Sequence, residues 1–146
     1  MTSFHVSQSP PVPALDDDRT RFYWDAIAAG RIDLLRCNSC GHFVHYPKPV
    51  CNQCRSDDLS PSTVSGTGTL YSYCEINQAS HPYYADKVPY MIGVIDLAEE
   101  PGVRLPTGLV DCTRDDLRCG MPMEVVFREV TPTLTLPYFR IAQPVR

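Results

Sequence analysis

Four cysteines, Cys37, Cys40, Cys51 and Cys54, form two Cys-x-x-Cys pairs separated by ten residues. No other feature restricts the possible folds of this chain so strongly. Two such pairs can present four thiolates to one tetrahedral metal ion, the arrangement of a closed structural zinc site. Gly41, immediately after the first pair, supplies the backbone freedom that a tight metal knuckle needs. Residues 42–50 combine strand-forming side chains with two prolines, the composition of a short β-ribbon joining two knuckles. A redox dithiol and an iron site compete with structural zinc for the same pattern. The ribbon histidines, His42 and His45, find no vacancy at a site saturated by four sulfurs and are expected to face solvent. A closed site also lacks the open position that a catalytic zinc keeps for water.

The remaining cysteines, Cys74, Cys112 and Cys119, are odd in number, which argues for reduced thiols and a cytoplasmic protein over a disulfide framework. Cys74 lies in a strand-like run and reads as core packing. The chain carries a formal net charge of −4. Four thiolates around one divalent ion take this to about −6. From Ser60 onward seven basic side chains face ten acidic ones. Nonspecific nucleic-acid binding draws on phosphate neutralisation, so this balance weighs against it. No apolar run approaches the roughly 20 residues that cross a bilayer, and the first residues lack the basic-then-apolar pattern of a secretory signal.

Along the chain, residues 1–17 read as a flexible arm, residues 18–59 as a helix and a metal ribbon, and residues 60–146 as a β-barrel. Asp16, Asp17 and Asp18 supply oxygen and charge for a helix start. The helix is expected from Arg19 to Ala29, with Gly30 ending it. Its apolar side is aromatic: Phe22, Tyr23 and Trp24 need cover either from this chain or from a partner. Residues 31–36 read as a strand entering the first knuckle, and residues 55–62 as a polar linker. Five further strands are expected over residues 66–77, 88–97, 103–112, 122–130 and 134–142. The second is nearly all apolar, as a strand covered on both faces would be. One helical turn at residues 113–118 breaks the series after the third strand. That order suggests a five-stranded Greek-key barrel of the OB type in a mainly β chain.

No nucleophile elbow, zinc-protease motif, phosphate loop or dinucleotide fingerprint is present. His81 is the only histidine of the barrel region, in a loop with Tyr83, Tyr84 and Lys87 where OB folds place a binding loop. The acidic runs at Glu99–Glu100 and Asp115–Asp116 read as solvated turns. Cys112 and Cys119 have no neighbouring histidine to activate a thiol.

These pieces stand in a particular order. Phe22-Tyr-Trp24 is followed by Leu34-Leu-Arg-Cys-Asn-Ser-Cys-Gly41 and Tyr46-Pro-Lys-Pro-Val-Cys-Asn-Gln-Cys54. Gly66-Thr-Gly-Thr-Leu-Tyr-Ser-Tyr73 and Leu117-Arg-Cys-Gly-Met-Pro-Met-Glu-Val-Val-Phe127 come after them. From about Asp18 onward the chain resembles the bacterial and archaeal family of zinc-ribbon/OB-fold, acyl-CoA-associated proteins, long known as a domain of unknown function. Arg55 departs from the small residue that often follows the second knuckle. The resemblance implies a rubredoxin-like zinc ribbon and a non-catalytic subunit. Its partner would be a thiolase, a thiolase-like aldolase or a hotdog-type hydratase, in a hetero-oligomer that shares a coenzyme A thioester as ligand. It implies docking through the ribbon and through Phe22, Tyr23 and Trp24. By analogy Tyr73, His81 and Tyr90 would line the acyl-CoA path, and Arg36 and Lys48 would meet coenzyme A phosphates. The alternative is an OB-fold/zinc-ribbon module for nucleic acid. An independent thioesterase and a rubredoxin-like electron carrier are further readings.

Overall fold

The computed structural model describes residues 8–144. Residues 1–7 of the expected arm lie outside the described residues, and residues 8–20 form no helix or strand. Helix α1 spans Arg21–Ala28, two residues inside the expected start. Its N-cap is Thr20, whose side chain makes no capping bond. The aspartate run shapes the preceding turn instead: the Asp17 carbonyl accepts the Thr20 and Arg21 amides, and its Oδ1 accepts the Arg19 amide at 2.9 Å. A carboxylate occupied by its own local turn is not free to cap the helix. The other end is as expected. Gly30 takes a left-handed φ of 76°. Its amide bonds to the Ile27 carbonyl, and the Arg31 amide bonds to that of Ala26, both at 3.0 Å. This Schellman pair satisfies two orphan carbonyls and turns the chain into the next strand.

That strand, β1 (Ile32–Cys37), is the centre of a three-stranded antiparallel sheet between β2 (Phe43–Val44) and β3 (Leu59–Val64). β3 pairs along the whole of β1, from Ile32↔Val64 to Cys37↔Leu59. The second half of the expected polar linker is therefore a strand. Serines and Pro61 disguise it, and Pro61 is tolerated because β3 is an edge strand.

Only Ser65 and Gly66 separate β3 from the barrel strands β4 (Thr67–Ile76), β5 (Tyr90–Leu97), β6 (Arg104–Leu109), β7 (Pro122–Thr131) and β8 (Leu134–Ile141). They close in the order β4-β5-β6-β8-β7, the five-stranded OB topology. Leu70, Ile95, Leu97, Met123 and Phe139 fill the barrel, and Ile27, Ile32, Leu34 and Phe43 from helix and ribbon continue the same core. β5 alternates instead of being covered on both faces: Met91, Ile95 and Leu97 point in, while Ile92 and Val94 are half-buried outside. Cys74 also faces outward and is exposed, against the expectation of core packing. Gly68 is needed for room, since a Cβ there would lie 2.1 Å from the Asp96 carbonyl oxygen.

The barrel has one weak seam. β6 and β8 pair in parallel only at Leu109↔Phe139. Pro106 and Pro137 stand on these two strands and cannot donate to a ladder. Thr107 bridges the gap, its hydroxyl donating to the Pro137 carbonyl at 3.1 Å. α1 packs against β1 and β8 beside this seam. Among the described residues no helix is long and apolar enough to cross a membrane.

Candidate metal centre and aromatic furrow

The two knuckles are built alike. The Gly41 amide closes on the Cys37 carbonyl at 2.9 Å, and the Arg55 amide closes on that of Cys51 at 3.0 Å. Both closing residues are left-handed, Gly41 at φ 80° and Arg55 at φ 63°. The position that Arg55 occupies thus asks for a residue without a Cβ, which arginine is not. Cys37 and Cys51 are buried, and Cys40 and Cys54 are exposed. All four sulfurs lie within 4.8 Å of one another. Cys37 Sγ is 3.5 Å from Cys54 Sγ, and Cys40 Sγ is 3.6 Å from Cys51 Sγ. A tetrahedron with metal–sulfur bonds of 2.3 Å has edges of about 3.8 Å, so the quartet fits one ion.

The electrostatics agree with that fit. The Cys40 amide, aimed at the Cys37 sulfur, is the main cause that brings its thiol down to about 6. The Cys54 amide acts likewise on Cys51. At Cys40 the His42 amide lowers the thiol but is outweighed by desolvation and by the three neighbouring sulfurs, which push it up to about 12. Four thiolates this close coexist only around a cation.

The histidines are not solvent-facing. His42 is half-buried with its Nδ1 on Glu100 Oε1, and Glu100 Oε2 accepts the Phe43 amide at 2.7 Å. His45 packs between Tyr23 and Tyr46, with ring centroids 6.3 and 4.3 Å away. Burial pushes its imidazole down to about 4. Glu99 lies in an exposed turn as expected, although its Oε1 accepts the Ser65 amide at 2.6 Å, whereas Glu100 is half-buried. The other acidic run behaves as expected, Asp116 forming a capping box with Thr113. Burial, then Asp116 and Asp111, raise the Cys112 thiol, which disfavours it as a nucleophile.

Beside the seam runs an aromatic furrow of two hollows, about 200 and 550 Å³, which share Tyr23, Trp24, Pro106, Thr107 and Pro137 as walls. The smaller reaches the ribbon at His45, Tyr46 and Pro47. The larger ends at Tyr84, Tyr90 and Tyr138. Phe22, Tyr23 and Trp24 are all half-buried. Tyr23 meets Trp24 edge to face at 5.1 Å, and burial followed by Tyr46 raises its phenol to about 12. Tyr84 stacks on Tyr90 at 5.3 Å, and the Lys87 ammonium lies 4.0 Å from the Tyr83 ring centre.

Of the residues expected on an acyl-CoA path, Tyr90 lines this furrow together with the aromatic helix. Tyr73 instead donates its hydroxyl to the Leu117 carbonyl at 3.1 Å and lines a separate outer hollow with Cys74 and Val94. His81 caps the 3-10 turn Pro82–Tyr84, its Nδ1 accepting the Tyr83 amide at 3.2 Å. Lys48 borders a hollow at the ribbon end with Arg19, Leu35, Pro47 and Pro49. Arg36 donates to the Gly41 carbonyl at 3.0 Å and covers the Phe43 ring. The sequence reading missed the seam residues Pro106, Thr107 and Pro137, although a proline inside each of two expected strands was the available signal.

Comparison with known proteins finds two family models along the chain. Residues 24–60 match the family model described as the ChsH2 rubredoxin-like zinc ribbon domain, and residues 62–128 match that of the ChsH2 C-terminal OB-fold domain. A probable enoyl-CoA hydratase alpha subunit of Thermomonospora curvata is 37% identical over 134 residues, covering 92% of this chain. The chain spans only 40% of that relative's length. A DUF35 domain-containing scaffold protein of Methanocaldococcus jannaschii is 32% identical over 97 residues, which are 66% of this chain and 67% of that one. Among solved structures, a chain of the Ltp2-ChsH2(DUF35) aldolase superposes with a TM-score of 0.78 at 35% identity, covering 89% of this chain and 98% of its counterpart.

Proposed function

Since the chain belongs to the ChsH2/DUF35 family of zinc-ribbon and OB-fold proteins, we propose that it is a non-catalytic subunit of an acyl-CoA-processing enzyme. The catalytic partner is a thiolase-like aldolase or a hydratase. The observation that carries this reading is the 98% coverage of a chain of the Ltp2-ChsH2(DUF35) aldolase at 35% identity. The likeness to a hydratase alpha subunit supports the same chemistry of partner. Zinc is the occupant of the four-cysteine centre, and its part is to hold the knuckles closed.

Docking uses the face made by α1, the ribbon connector and the seam. Tyr46 is 61% exposed there, beside Phe22, Tyr23 and Trp24. Exposed aromatic area next to a rigid half-buried aromatic pair has the composition of an interface hot spot. The coenzyme A thioester shared with the partner runs along the furrow past Tyr90. Tyr73 on the outer barrel wall and His81 in the loop between β4 and β5 lie off that furrow, and Lys48 and Arg36 meet phosphate at the ribbon end.

Co-expression with a thiolase-like aldolase or hydratase subunit of the same organism tests the proposal. The expected result is a stable complex that turns over an acyl-CoA, with no turnover by this chain alone. Turnover by the isolated chain would overturn it, as would salt-sensitive retention on single-stranded DNA without assembly. Lys48→Ala and Arg36→Ala should each weaken acyl-CoA binding by the complex. Unchanged affinity in both removes the phosphate assignment while leaving the docking role intact.

A further inference from the structure

The loop between β5 and β6 sends both of its carboxylates out of the barrel. Glu99 holds the Ser65 amide, at the two-residue joint between the ribbon sheet and β4. Glu100 holds the Phe43 amide and the His42 ring. These two residues directly follow the first knuckle, and the His42 carbonyl accepts the Cys37 amide at 2.9 Å. Glu100 is thus bonded to the backbone hairpin that carries two of the four sulfurs. Cys40, Gly41, His42, Gln53 and Glu100 surround one hollow of about 270 Å³. The Glu100 side chain is 29% exposed and that of His42 is 16% exposed, so water competes weakly for these bonds.

We propose that Glu100 couples the metal state of the ribbon to the barrel, so that loss of the ion releases the loop at residues 98–102 and, through Glu99, the Ser65–Gly66 joint. The hairpin can present both an amide and a ring nitrogen to one carboxylate only while the knuckle is closed. Closure draws on the ion, which would bind all four sulfurs, within 4.8 Å of one another, and so tie the two knuckles together. Coupling of this kind is reciprocal: bonds that hold the hairpin closed also hold the metal more tightly. The inference needs no partner, and every readout below uses the full chain alone, so it stands or falls separately from the docking role.

The test is hydrogen exchange on the full zinc-loaded chain before and after chelation, together with the rate of zinc release to a colorimetric chelator. In the wild type, chelation should speed exchange at residues 98–102 and 65–67 by at least about tenfold while β7 and β8 stay protected. Glu100→Gln should exchange rapidly at 98–102 with or without metal and release zinc about tenfold faster, since the coupling is reciprocal. Glu99→Gln should loosen only 65–67 and keep the wild-type release rate. A wild-type loop indifferent to chelation overturns the proposal, as does a Glu100→Gln variant with wild-type release. Should Glu100→Gln fail to fold, the wild-type exchange comparison decides alone.

Discussion

Arg55 and His45 each hold a conformation or charge state that their residue type resists. Arg55 closes the second knuckle at φ 63°, where glycine closes the first. An L residue there costs about 1 kcal/mol relative to glycine, partly offset because glycine gains more entropy on unfolding. Arg55→Gly should therefore raise stability by about 0.5 kcal/mol and slow zinc release, measured by urea titration and chelator competition. His45 is held down to about 4 by burial, against about 6.5 in an unfolded chain. Below pH 6.5 the unfolded chain binds a proton that the folded chain refuses. Stability is thus complete above that pH and is lost as pH falls towards 4. Between pH 7 and 5 the loss from this ring should be about 1 to 2 kcal/mol. His45→Phe, which keeps the packing on Tyr23, should flatten that slope in urea titrations with zinc held in excess. An unchanged slope would place the acid sensitivity in the thiolates.

At the scale of elements, α1 divides its labour along its length. Ile27 is fully buried in the shared core, whereas Trp24 is half-buried at the furrow. Ile27→Ala should destabilise the chain by about 2 to 5 kcal/mol, read as a lowered urea midpoint. Trp24→Ala should leave folding nearly intact and weaken assembly with the catalytic partner by about 2 kcal/mol, read by calorimetric titration. The helix, the ribbon and the barrel strands were legible because each obeys a local rule: four-residue spacing, Cys-x-x-Cys pairing, alternation between turns. β3 was not legible, since its serines and Pro61 carry no apolar pattern and only pairing to β1 makes it a strand. The outward Cys74 was misread for a similar reason. Period-2 alternation says that two faces exist, and only barrel closure says which is inside. The four sulfurs could be named from spacing alone. The furrow could not, because it forms where residues 23, 106 and 137, remote in sequence, meet across a seam.

For the whole molecule, the ribbon sheet shares the barrel core at one end through Ile32, Leu34, Phe43 and Val64, while Cys37, Val44 and Cys51 form a second cluster at the metal end. Chelation should abolish partner assembly before it melts the barrel, because the proposed docking face includes the ribbon connector while β7 and β8 retain their ladder. Circular dichroism and size-exclusion traces recorded across one chelator titration check that order, and simultaneous loss would contradict it. The joint at Ser65–Gly66 has a mechanical corollary. With two residues between paired strands, and one of them tethered, there is no length of chain on which the halves could swivel. Dyes placed at the ribbon tip and at the β7–β8 turn of the zinc-loaded chain should therefore report a single narrow distance, the same free and assembled. In the proposed complex such a body would act as a ruler, setting by its own dimensions how far apart two points on a larger enzyme are kept.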